Sequence, residues 1–125
     1  MGDKGEETMS QANVTMTARQ ASETVGIVDI QGDVTALAEN ALMAAHTQTI
    51  GWNARAIILN FSGLEYMNSG GIGLLLKLFI RANRQQQQLL ICGLSEQYRK
   101  VFDLTRLDEA ARIYGSEAEA LAAAG

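Results

Sequence analysis

The chain has 125 residues, 47% of them hydrophobic and 19% charged, which is enough for one domain with a sizeable core and leaves little room for a second. A formal net charge of -4 provides no basic footprint for nucleic acid or an anionic membrane, so proteins are the expected partners. No apolar run is long enough to span a bilayer, so no membrane insertion is expected, and the single cysteine, Cys92, excludes an internal disulfide and a thiolate metal cluster.

Residues 1–12 are acidic, polar and Gly-containing, without the basic start and apolar middle of an export signal; they are expected to be a disordered tail, with the domain spanning 13–125 in the cytoplasm. Val14, Met16 and Ala18 alternate with Thr15, Thr17 and Arg19, and Val25 and Ile27 repeat the period of two, which predicts two strands in hairpin order. From Thr35 the period lengthens. Leu37, Ala38, Ala41, Leu42 and Ala45 fall on one helical face, with Asp33 or Thr35 as the cap and Gly51 at the end. His46 is expected to be exposed on that helix.

Ala56-Ile57-Ile58-Leu59 is a short apolar run suited to a strand covered on both faces of a parallel sheet. A Gly-rich loop is expected over 62–73, followed by a helix with Ile72, Leu75, Leu76, Phe79 and Ile80 on its buried face. Gln85 to Gln88 reads as a solvated turn and Leu89 to Cys92 as a second buried strand. Ser95 to Phe102 reads as a helix, Ala111 to Tyr114 as a short strand, and Ser116-x-x-Glu119 as a capping box opening a last helix from Glu117 to about Ala123. The order β β α β α β α β α predicts an α/β layer fold: a mixed, mostly parallel sheet of four to five strands with helices packed against it. The strand exits at Gly32-Asp33-Val34, Ser62 to Gly71 and Gly93-Leu94-Ser95 are expected along one edge, where partners dock.

The segment around Ser69 joins a buried strand to an amphipathic helix. Ser69 or Asn68 is a candidate N-cap. A serine at a helix N-terminus is also a favourable place for a phosphate, because unpaired amides and the helix dipole accept an anion there. Enzymatic readings fit poorly. Met67 stands where the first glycine of a G-x-S-x-G elbow is needed, and the only histidine, His46, precedes the serine. Lys77 does not follow a glycine as a P-loop requires. No cofactor and no metal are expected.

The run Phe61-Ser62-Gly63-Leu64-Glu65-Tyr66-Met67-Asn68-Ser69-Gly70-Gly71-Ile72-Gly73 resembles the signature of bacterial anti-sigma-factor antagonists of the STAS type, and the similarity extends over about residues 14 to 123. The resemblance implies a non-enzymatic STAS domain that binds a serine-kinase anti-sigma factor when unphosphorylated. The kinase would phosphorylate Ser69 and a serine phosphatase would reset it. It places Asp33, Val34, Thr35, Ser62, Gly63, Met67, Asn68, Ser69, Gly70, Gly71 and Ile72 on the docking surface. The sequence departs from the pattern at Asn68, where an acid is usual, at Gly70, where a second serine is usual, and at Asn60, where an Asp is common. STAS domains also serve as subunits of lipid-transport ABC complexes and as stress-signalling scaffolds, without a phosphoserine switch.

Overall fold

The structure is a computed structural model describing residues 6–11 and 13–124. Six strands form one sheet in chain order: β1 (Glu6–Gln11), β2 (Val14–Gln20), β3 (Val25–Val34), β4 (Ala56–Met67), β5 (Gln88–Cys92) and β6 (Arg112–Tyr114). β1, β2 and β3 pair antiparallel, and β3 to β6 pair parallel. The helices are α1 (Glu39–Gly51), α2 (Ser69–Arg84), α3 (Glu96–Leu104) and α4 (Glu117–Ala124). The mixed, mostly parallel sheet expected from the sequence is present, with β1 as a further strand.

β1 occupies residues that the sequence assigned to a disordered tail. Its register sets Thr8 opposite Thr17, with their hydroxyls 3.1 Å apart. An edge strand on the hairpin needs only backbone partners from β2, which apolar periodicity does not report. Residues 1–5 and 12 of the expected tail lie outside the described residues.

The sheet buries both faces unequally. One core, holding Met16, Ile30, Leu42, Leu59, Phe61, Leu75, Leu78 and Phe102, is covered by α1, α2 and α3. The other, holding Val25, Ile27, Ala56, Ile58, Leu90, Cys92 and Ala120, is covered by α4. Alternation along β4 explains this: Ile57, Leu59 and Phe61 point to the first core, Ala56 and Ile58 to the second. α4 is fixed by Arg19, which meets Asp29 at 2.6 Å and Glu117 at 2.5 Å. Those carboxylates, Asp29 foremost, raise the Arg19 pKa above its ordinary value. Of the expected capping box the serine half is present, the Glu119 N–H donating to Ser116 Oγ at 3.2 Å, while Glu119 Oε1 reaches one residue further and accepts from the Gly115 N–H at 2.9 Å.

Local expectations change in several places. β4 does not give way to a loop at Ser62 but runs beside β3 as far as the pair Val34 and Met67. Register shifts after Asp29 and after Gly32 let five steps of β3 (29 to 34) accompany seven of β4 (60 to 67). Gly63 fits that irregularity because a Cβ there would lie 2.7 Å from Gln31 Cγ. The buried face of α2 is Gly71, Leu74, Leu75, Leu78, Phe79 and Ala82, so Leu76 and Ile80 are exposed although the spacing had placed them inside. Apolar residues at 72, 74, 75, 76, 78, 79 and 80 make an arc too wide for one-dimensional spacing to choose its centre.

His46, expected in solvent, is buried. Its Nε2 lies 2.7 Å from Gln87 Oε1, and Gln87 Nε2 donates to the Ala54 carbonyl at 2.9 Å. That second bond orients the amide, so Gln87 Oε1 accepts and the imidazole carries its proton on Nε2. Gln87 is therefore buried within a run expected to be a solvated turn, while Gln85, Gln86 and Gln88 are exposed. Trp52 caps the C-terminal end of α1 and packs against the core edge.

Candidate functional site

The parallel strands β3, β4 and β5 end at one edge of the sheet, and α2 begins directly where β4 stops. Asn68 has extended backbone and is the N-cap of α2; its Oδ1 accepts the Gly71 N–H at 3.1 Å. The Ile72 N–H closes the first turn on the Asn68 carbonyl at 3.0 Å. Of the two candidate caps, Asn68 takes the role. Ser69 is the first helical residue, is exposed, and its hydroxyl has no hydrogen-bond partner among the described residues.

The start of α2 is held from three sides. The Asn68 N–H donates to the Val34 carbonyl at 3.4 Å, joining β3 to the cap. The Met67 N–H donates to the Tyr98 hydroxyl at 3.0 Å, joining α3 to the end of β4. Gly71 lies against β3 so closely that a Cβ would fall 2.1 Å from the Val34 carbonyl oxygen. Thr35 Oγ1 accepts the Leu37 N–H at 3.2 Å and caps the 3-10 turn Ala36–Ala38, whose first residue packs on Gly70.

The expected docking residues divide accordingly. Asn68, Ser69, Gly70, Gly71 and Ile72 are brought together with Val34 and Thr35 at the start of α2. Val34, Met67 and Gly71 are buried, so their side chains, or Cα in glycine, face the protein interior. Asp33 pairs with Tyr66 across the strand ends. Ser62 and Gly63 lie within β4. The Ser62 hydroxyl donates to Asn60 Oδ1 at 2.6 Å, and Asn60 Nδ2 donates to Asp29 Oδ1 at 2.8 Å, on the sheet face opposite α2.

Sequence reasoning missed three residues at this edge. Tyr98 is half-buried and gives the edge its α3 contact. Leu37 and Tyr66 are exposed by 68% and 49%, which gives the edge apolar surface. Leu37 matched the helical face in spacing but falls in the 3-10 turn before α1, where that face does not extend. No groups of three or more His, Cys, Asp or Glu suited to a metal occur among the described residues.

The start of α2, raised on the parallel strand ends with its cap satisfied by Asn68 and an exposed hydroxyl on Ser69, belongs to a small α/β domain. The STAS domain family matches residues 16–120, and the chain belongs to that family. An anti-sigma factor antagonist from Mycobacterium paratuberculosis superposes with a TM-score of 0.75 at 20% identity, covering 89% of this chain and 93% of the other. The Bacillus cell fate determinant SpoIIAA in its phosphorylated form gives a TM-score of 0.66 at 22% identity, covering 86% and 97%. A sulfate transporter family protein from Wolinella succinogenes gives 0.71 at 19% identity, covering 80% and 84%. At these identities the likeness is one of fold.

Proposed function

We propose that this chain is an anti-sigma-factor antagonist that docks on a serine-kinase anti-sigma factor through the start of α2 and is released when Ser69 is phosphorylated. The observation that carries the reading is the exposed, unbonded Ser69 hydroxyl beside a cap already satisfied by Asn68. Its chemistry is that of an acceptor. Ser69 Oγ attacks the γ-phosphorus of ATP held by the kinase, the bond to the ADP oxygen breaks, and the hydroxyl proton passes to a base on the kinase. A serine phosphatase would restore the hydroxyl, and the domain itself catalyses nothing.

Physical reasons support the switch. No acidic side chain lies in the first turn of α2, and the helix N-terminus favours the roughly -1.5 to -2 charges a phosphate adds. The fold therefore tolerates the anion, whereas a partner packed over Ser69 would have to bury it. SpoIIAA, a neighbour in fold, is known in unphosphorylated and phosphorylated forms. No helix among the described residues is long and apolar enough to cross a membrane, which accords with action in the cytoplasm on transcription.

A second reading takes the chain as a STAS partner of a membrane transporter, including a subunit of a lipid-transport ABC complex, or as a stress-signalling scaffold; the transporter-family neighbour favours the first of these. The deciding experiment is capture of bound proteins followed by incubation with the captured kinase and ATP. The antagonist reading expects an ATPase-fold serine kinase and one phosphate, lost in Ser69→Ala. A transporter ATPase as the bound partner, or label persisting in Ser69→Ala, would overturn it.

A further inference from the structure

The outward side of α2 carries apolar groups that the sheet does not reach. Leu76 and Ile80, four residues apart, stack along one ridge, exposed by 45% and 57%, while Ile72 one turn earlier packs against the core. Beside that ridge runs a groove between α1 and α2 of about 350 Å³, lined by Glu39, Met43, Lys77, Ile80, Arg81 and Arg84. Met43 and Ile80 supply its apolar surface.

Its charge is opposite in sign to that of the whole protein. The chain carries -4, yet three cations and one carboxylate edge this groove, a local formal +2. Arg81 is fixed across the groove, donating from Nη1 to the Met43 carbonyl at 3.2 Å and from Nη2 to Thr47 Oγ1 at 3.1 Å. Lys77 reaches Glu39 at 3.2 Å, with both side chains well exposed. Arg84 makes no ion pair among the described residues.

We propose that the α1–α2 groove docks an amphipathic helix of a protein partner whose apolar stripe is flanked by Asp and Glu. An apolar ridge beside a cationic rim matches such a helix in both respects: Leu76, Ile80 and Met43 take the stripe, and Lys77 and Arg84 meet the carboxylates. Nucleic acid fits less well, because the groove has no aromatic platform and the rest of the molecule is acidic. A second copy also fits less well. The end of α3 sets exposed Leu104 between Asp103 and Asp108, but Phe102 and Leu107 beside it are buried, leaving one apolar group to insert.

This inference stands apart from the Ser69 switch, and its test uses neither kinase nor nucleotide, so failure of either leaves the other intact. The isotope-labelled protein is titrated with a synthetic helical peptide bearing Leu at i, i+4 and i+7 with Glu on both flanks, and with the same peptide carrying Lys in place of every Glu. The acidic peptide should shift the amide signals of Met43, Leu76, Lys77, Ile80 and Arg84, and its affinity should fall about tenfold between ~0.05 and ~0.5 M salt. The basic peptide should leave them unmoved. Ile80→Ser combined with Arg84→Glu should weaken binding by about tenfold or more, and if that pair loses spectral dispersion, Leu76→Ser makes the same test. Equal binding of both peptides, no binding, or shifts elsewhere on the surface would overturn the proposal. Shifts of the same residues that grow with protein concentration without peptide would assign the groove to a second copy and overturn it too.

Discussion

The hydroxyl of Tyr98 accepts the backbone N–H of Met67 at 3.0 Å, so a side chain of α3 fixes the last residue of β4 just before the cap of α2. Without it, that N–H sits half-buried at the point where β4 leaves its pairing with β3. Tyr98→Phe keeps the ring and removes the acceptor, and should cost about 1 kcal/mol. Urea unfolding measures the loss, and amide exchange should quicken at Met67 more than in the centre of β4. Unchanged exchange at Met67 would show that the contact does not hold the strand end.

The N-cap gives a second outcome. Asn68→Ala removes the acceptor for the Gly71 N–H and should destabilise by about 1 kcal/mol, while Asn68→Asp should retain stability because a carboxylate caps equally well and suits the helix dipole. Chemical unfolding of both variants tests the pair. If Asp at this position also aids kinase recognition, Asn68→Asp should speed labelling of Ser69.

Two glycines of the same helix should respond in opposite directions. Gly71→Ala would drive a methyl to 2.1 Å from the Val34 carbonyl, backbone that has no room to retreat, and should cost ~2 kcal/mol or more. Gly73→Ala meets nothing within 4 Å and should stabilise by about 0.5–1 kcal/mol through helix propensity alone. Thermal melts of the two variants decide it. Equal effects would mean that the approach of α2 to β3 is looser than the structure gives.

His46 should make stability pH-dependent. Burial pushes its pKa below the ordinary 6.5, the Gln87 hydrogen bond opposes that shift, and Arg81 adds to it. Nδ1 is buried without a partner, so a proton added there finds no acceptor. The unfolded chain thus binds the proton more readily, and this contribution to stability is complete above the ordinary value and is lost as pH falls below it toward the folded-state value. Urea midpoints should fall more between about pH 7.5 and pH 5 for the native protein than for His46→Gln. Parallel pH profiles would remove the histidine from the account.

Much of this was legible in the sequence for a physical reason. Period-two alternation at Val14, Met16 and Ala18 and the apolar run at Ala56 to Leu59 each admit one arrangement, and the strands formed there. The run from Asn68 to Ile72 announced a helix start because small residues and a capping side chain have few other uses together. What escaped depends on tertiary contacts. A polar strand such as β1 is held by its neighbour's backbone, which leaves no apolar signature. The burial of His46 and Gln87 rests on two side chains 41 positions apart satisfying each other. Tyr98 had no local mark at all, since its partner is a backbone N–H on another element.

Cys92 is the sole thiol in the chain, buried at the end of β5, and burial pushes its pKa up to about 11. A thiol in that state is nearly inert to maleimides at neutral pH. Replacement of an exposed hydroxyl by sulfur, as in Ser69→Cys, therefore creates one address for a fluorophore without first deleting a native cysteine. The folded chain comes already blanked for single-site optical labelling, and any docking event over α2 becomes visible as a change in emission.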